Sequence, residues 1–268
     1  MQLDYFTLLS PEPIQLSIGS IKNPTARDVG KISMQRFSLY QVLMKLTPSD
    51  YYHEVAKDRL VYWDALTDEQ KQTMTMWDLL QVEPEIIPDY LDMLNFFFVE
   101  RVIFKEKVLA IIDTDDYKTP DEELEITDSN LKGVLFDKNF AEVMDILQQV
   151  CCIKSADPMD EPMPKFKNEK AKKLYERMLK AKKGQEKKQE EKDAVNLVFA
   201  NIISSVAAKS NNLNIVNIWD ATIFQIYDQF KKLRTDDMHY INAVRVAVWG
   251  DEKKQFDDSL WYKNNFKK

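Results

Sequence analysis

Glycine is scarce in this sequence: Gly19, Gly30, Gly133, Gly184 and Gly250 are the five in 268 residues. That scarcity argues against turn-dense all-β folds and against glycine-rich phosphate loops. Neither G-x-x-x-x-G-K-[ST] nor G-x-G-x-x-G occurs, and G-x-S-x-G is missing too. Cysteine is limited to Cys151 and Cys152. Adjacent cysteines rarely bridge each other, so the pair suits a reducing cytosol. The two histidines, His53 and His239, have no metal-ligating partners at helical spacing. His53, beside Tyr51 and Tyr52, reads as a surface or satisfied residue rather than a general base. No apolar run reaches the length of a membrane span, and the best, Val195 to Ala208, is broken by Asn196, Asn201 and two serines. The opening MQLDYFTLLSPEP lacks the basic and long apolar regions of a signal peptide. These absences lead us to expect a soluble intracellular protein that is not an enzyme and has no metal or cofactor.

What the chain has in quantity is charge. Asp, Glu, Lys and Arg make up 30% of it with a formal net charge of −7, which opposes nonspecific nucleic-acid binding over the whole surface. The hydrophobic share, 44%, still suffices for the core of one large or two ordinary domains. The charge is unevenly spread. Lys165 to Asp193 holds 12 Lys or Arg against 6 Asp or Glu, and it follows the proline-containing KSADPMDEPMPKFKN of Lys154 to Asn168. The proline stretch reads as a linker. The basic run alternates with acids at helical spacing, as in Lys182 with Glu186, which favours a solvent-exposed charged helix over a phosphate-binding patch. The cluster Asp113, Asp115, Asp116, Asp121, Glu122 and Glu123 lacks the ligand spacing and mid-loop glycine of a calcium loop. A solvated loop is expected there.

Hydrophobic periodicity places the elements. Residues 3 to 22 predict two strands around Ser10-Pro11-Glu12-Pro13, the first holding Tyr5, Phe6, Leu8 and Leu9, the second Ile14, Leu16 and Ile18. Thr25 with Asp28 caps a helix carrying Val29, Ile32, Phe37, Tyr40, Leu43 and Met44, ended by Pro48. Further helices are predicted from Ser49 to about Leu66, Met74 to Leu80 and Ile87 to Val99, with a polar turn at Thr67. Arg101 to Thr114 predicts a strand pair split at Lys105-Glu106-Lys107. Asn139 caps a helix to about Cys152.

Beyond the linker, helices are predicted from Ala194 to Lys209, Asn217 to Leu233 and Asp236 to Trp249, the last stopped by Gly250. On the Asn217 helix, Trp219, Ile223, Ile226, Tyr227, Phe230 and Leu233 form one broad apolar face, with Asn217 and Asp220 at its cap. The expected fold is therefore mainly α (α+β): a helical N-terminal domain with a small β-hairpin element (1–153), a charged helical linker (154–193) and a small all-α C-terminal module (194–268). With 14 Phe, 11 Tyr and 11 Met, the chain carries adaptable apolar material beyond the needs of a core this size. Trp219, Ile223, Tyr227, Phe230, Trp249 and Trp261 are the candidate partner-binding residues.

YFTLLSPEPIQLSIGSIKNPT (Tyr5 to Thr25), NIWDATIFQIYDQF (Asn217 to Phe230) and AVRVAVWG (Ala243 to Gly250) resemble segments of proteins encoded among the tail genes of tailed phages and prophages of low-GC Gram-positive bacteria. The family resembled is the tail assembly chaperones. That resemblance implies a non-catalytic protein of the host cytoplasm that binds the tape measure protein and keeps its helices soluble until tail tube subunits polymerise around it. The tail tube protein and a second copy of the chain are further candidate partners. Membrane is not expected. No functional residue carries over, because the family has no catalytic motif. Two alternatives stand beside this reading: a structural virion protein of the tail or head completion, and a nucleic-acid-binding accessory acting through Lys165 to Lys192.

Overall fold

The computed structural model describes residues 1–115, 118–121, 123–153, 199–251 and 256–262. Its fold is mainly α with small antiparallel sheets, an α+β arrangement. Two compact units are present, Met1–Lys154 with Asp220–Gln225, and Ser155–Trp219 with Ile226–Lys268. The linker and basic run expected from Lys154 to Asp193, and the helix start expected at Ala194, lie outside the described residues.

The first expected strand is instead a short helix, α1 (Tyr5–Leu9). Asp4 explains the change, since its Oδ1 accepts from Thr7 N at 3.0 Å and caps the turn. The hairpin lies later, pairing β1 (Ile14–Leu16) with β2 (Gly19–Ile21) around Ser17-Ile18. Thr25 and Asp28 form the expected capping box of α2 (Ala26–Ile32). The single helix expected from there to Pro48 breaks at Ser33, whose φ of 79° ends α2 and whose hydroxyl caps α3 (Met34–Leu43). The helix expected from Ser49 is also broken. It comprises α4 (Pro48–Asp50), a π turn over Tyr51–Val55, a 3-10 turn over Lys57–Arg59 and α5 (Leu60–Asp64). The wider π turn lets Tyr51 and Tyr52 both point inward, where the Tyr52 ring stacks 5.6 Å from Trp63. Thr67 does not make a simple turn either. It caps α6 (Asp68–Thr73) through a box with Gln70.

α7 (Met76–Val82) and α8 (Ile87–Phe97) follow expectation. Tyr90, Met93, Leu94 and Phe97 of α8 are buried with Phe37 and Tyr40 of α3, and the Tyr90 hydroxyl donates to Leu43 O at 2.9 Å. β3 (Arg101–Lys105) and β4 (Val108–Ile112) form the expected pair, joined by Glu106 and Lys107 at φ 51° and 64°. A third strand, β5 (Leu131–Leu135), completes the sheet in the order β3-β4-β5. No element is expected there from the sequence. Here Gly133 is needed because a Cβ would stand 2.5 Å from the Cα of Ile18 in the β1–β2 turn. Ahead of β5, Arg101 pairs with Asp121 at 2.5 Å and donates to Thr119 O at 2.7 Å. α9 (Asp137–Val150) starts at Phe136 rather than at Asn139, which accepts from Phe136 N at 2.8 Å. Its Phe140 ring lies 5.7 Å from both Trp77 and Tyr90.

Asp220–Gln225 belongs to this same unit through backbone bonds to the start of α2. Ala26 N donates to Ala221 O at 3.1 Å, Ile223 N donates to Pro24 O at 2.9 Å, and Thr25 bridges Thr222. Arg27 pairs with Asp220 at 2.7 Å, and the Tyr5 ring lies edge-on to Phe224 at 6.2 Å.

Candidate functional site

The two helices expected at Asn217–Leu233 and Asp236–Trp249 are one helix, α11 (Ile223–Trp249), of 27 residues. No glycine or proline interrupts it, and Thr235 donates to Lys231 O at 2.8 Å, so its hydroxyl caps nothing downstream. The true cap is Thr222, whose hydroxyl accepts from Gln225 N at 3.2 Å while Gln225 Oε1 accepts from Thr222 N at 2.9 Å. Asn217 instead closes a turn with Asn214, each side-chain oxygen accepting from the other's backbone N–H. Asp220 is free of the helix and holds Arg27.

α10 (Phe199–Lys209) packs along the early part of α11. Phe199, Ile202, Ile203 and Val206, spaced three and four residues apart, are buried. The Phe199 ring stacks on Tyr227 at 5.7 Å, and ten residues further along both helices Lys209 pairs with Asp237. The two helices therefore run in the same direction, and α10 stops abreast of Asp237. Beyond it α11 continues for 12 residues, about 18 Å at the helical rise.

That extension carries exposed apolar side chains. Ile241 (65%), Val248 (64%) and Trp249 (76%) are exposed, as are Met238, Tyr240 and Val244. Ile241, Val244 and Val248 follow the three-four spacing that puts residues on one helical face. Among the described residues, one side of the extension is covered: Phe256 lies 5.4 Å from the His239 ring, and Asp258 lies 3.4 Å from His239 Nε2. Gly250, at φ 77°, ends the helix as expected. Among the described residues, no helix is long and apolar enough to cross a membrane.

The six candidate residues do not form one patch. Ile223 is fully buried and serves the core of the first unit, so it is not a surface contact. Tyr227 and Phe230 are half-buried, Tyr227 against Phe199. Trp219 is partly exposed with its indole N–H donated to Ile215 O at 3.0 Å. Trp249 and Trp261 are exposed, Trp261 edge-on to Tyr262 at 5.2 Å. Met238 and Ile241 were not singled out by the sequence. Their spacing was visible, but nothing in it told that α10 would stop short.

A family model described as the second domain of YomV matches residues 186–265. The family comes from Bacillus phage and prophage proteins. The match suggests a phage protein. It spans α10, α11 and the docked Phe256 and Asp258, and it leaves the first 185 residues outside. Neither a curated protein nor a solved structure matches the chain.

Proposed function

We propose that this protein is a non-enzymatic tail assembly chaperone of a phage, which binds the tape measure protein and keeps it soluble in the host cytoplasm. The observation that carries the reading is the extension of α11 past α10, with Ile241, Val244, Val248 and Trp249 open to a partner. A tape measure protein is a long helical chain with apolar stripes, and an apolar helix face of this kind complements such a stripe. Each of these side chains, fully buried on the partner, contributes roughly 1.5–3 kcal/mol. The phage-associated match to residues 186–265 includes this extension and supports the setting.

The test is co-expression with the neighbouring tail genes, pull-down of the tagged chain, and mass spectrometry on both the eluate and purified particles. Wild type recovers the tape measure protein and is missing from particles. Ile241→Asp with Val248→Asp, both on exposed positions and expected to change stability by under about 0.5 kcal/mol each, lowers recovery at least about tenfold. Presence of the chain in particles would make it a structural virion protein instead. Equal recovery with the double variant would remove the α11 extension from the account.

A further inference from the structure

A second feature lies wholly within the first unit. A pocket of about 390 Å³ opens between α2, α3 and α8, walled by Lys22, Lys31, Ile32, Tyr40, Asp92 and Phe96 among others. That volume is in the usual range for a small-ligand site. Most of its charges cancel in pairs. Lys31 Nζ stands 3.1 Å from Asp28 Oδ1. Asp92 Oδ2 accepts from Arg36 Nε and from the Tyr40 hydroxyl, each at 2.5 Å.

Lys22 is the exception. Its backbone N–H is fixed to Phe97 O at 2.7 Å, and its ammonium lies 6.0 Å from the centre of the Phe96 ring. Among the described residues its Nζ has no ion pair. Burial pushes its pKa below the ordinary lysine value, opposed by the nearby Asp28 carboxylate. A half-buried ammonium with no direct ion pair among the described residues, at the wall of an open pocket, favours a negative charge placed against it.

We propose that this pocket binds a single carboxylate group, with Lys22 pairing the anion and Ile32 and Phe96 flanking an apolar stem. The charge count selects the class. Lys31 is taken by Asp28, and Asp92 is taken by Arg36, which stands outside the pocket wall, so Lys22 is left as the wall cation without an ion pair among the described residues and a monoanion fits beside it. A phosphate dianion would bring its second charge against Asp28 and Asp92. A neutral ligand would leave the Lys22 ammonium desolvated and unpaired. The stem belongs either to a free small carboxylate or to a glutamate side chain of a protein. The proposal does not depend on the chaperone reading, which concerns α11.

Saturation-transfer NMR on the full-length protein tests it, with benzoate, benzamide, inorganic phosphate and an end-capped glutamate tetrapeptide as probes. Benzoate or the peptide binds saturably, and benzamide and phosphate bind at least about tenfold more weakly. Lys22→Met weakens the carboxylate probe about tenfold to a hundredfold, as expected for one charge-assisted contact. Lys22→Arg, which keeps the charge, restores most of it, and unchanged melting of both variants shows that the fold is intact. Tighter peptide than benzoate assigns the stem to a protein side chain, and the reverse assigns it to a free acid. Equal binding to Lys22→Met, benzamide matching benzoate, or no saturable binding of either carboxylate below about 20 mM overturns the proposal.

Discussion

Gly133→Ala puts the packing of β5 to a test of sign. In an ordinary strand the change stabilises by about 0.4–1 kcal/mol, because alanine has fewer unfolded conformations to lose. Here the added methyl would stand 2.5 Å from Ile18 Cα and 2.6 Å from Ile18 Cβ and O. Two of those three atoms are backbone, in a hairpin whose position is fixed elsewhere. Ser20 N donates to Glu100 Oε2 at 2.8 Å, Val99 N donates to Ser20 O at 2.9 Å, and Lys22 N donates to Phe97 O. The hairpin cannot swing aside without breaking these bonds, so the overpacking penalty falls at or above the top of its usual range, about 3 kcal/mol. The net expectation is destabilisation by about 2 kcal/mol. Truncating Ile18→Ala should not rescue it, since Cα and O remain. Hydrogen exchange on peptides from β4 and β5, with chemical denaturation of the full chain, measures both variants. A Gly133→Ala protein as stable as wild type, or one rescued by Ile18→Ala, would refute the close approach.

Much of this fold was legible because short-range signals agreed with long-range packing. Thr25 with Asp28, the β3–β4 pair and the inward face of α10 each combine a local preference with an apolar pattern that the core uses. The misreadings have physical causes. Tyr5 to Leu9 has the composition of a strand, but Asp4 supplies a cap that composition does not weigh. β5 went unread, and its Gly133 is there to admit a neighbouring backbone. Ser33, at positive φ, and the π turn at Tyr51 break helices that periodicity continues, and the π turn buries two tyrosine rings. The candidate surface was less legible than the fold. Periodicity tells that a helix has an apolar face, and it does not tell where the covering helix ends. Thus Ile223, a candidate partner contact, is core, and Ile241, not among the candidates, is exposed.

Three further outcomes follow. The β3–β4 turn uses Glu106 and Lys107 at positive φ, where Asn-Gly is preferred, so Glu106→Asn with Lys107→Gly should raise stability by about 1 kcal/mol in a denaturant melt. Burial, together with the Glu83 carboxylate that accepts its proton at 3.1 Å, pushes Tyr52 up to about 12. Its folded pKa is above the unfolded value, so its contribution is complete below pH 10 and is lost as pH rises through 12. Tyr52→Phe should therefore flatten the fall in stability over that window, and an unchanged slope would count against the pairing. Asp236 separates two accounts of α11. Were it the cap of a second helix, Asp236→Ala would cost about 1 kcal/mol. Inside the continuous helix Ile223–Trp249 it is an exposed interior position, where alanine is the better helix former by about 0.6 kcal/mol. Stabilisation with unchanged exchange protection across Lys231–Ile241 fits one unbroken helix. A clear loss would restore the break at Asp236 and make the extension that bears Ile241 and Val248 a separate element, free to pivot on its own.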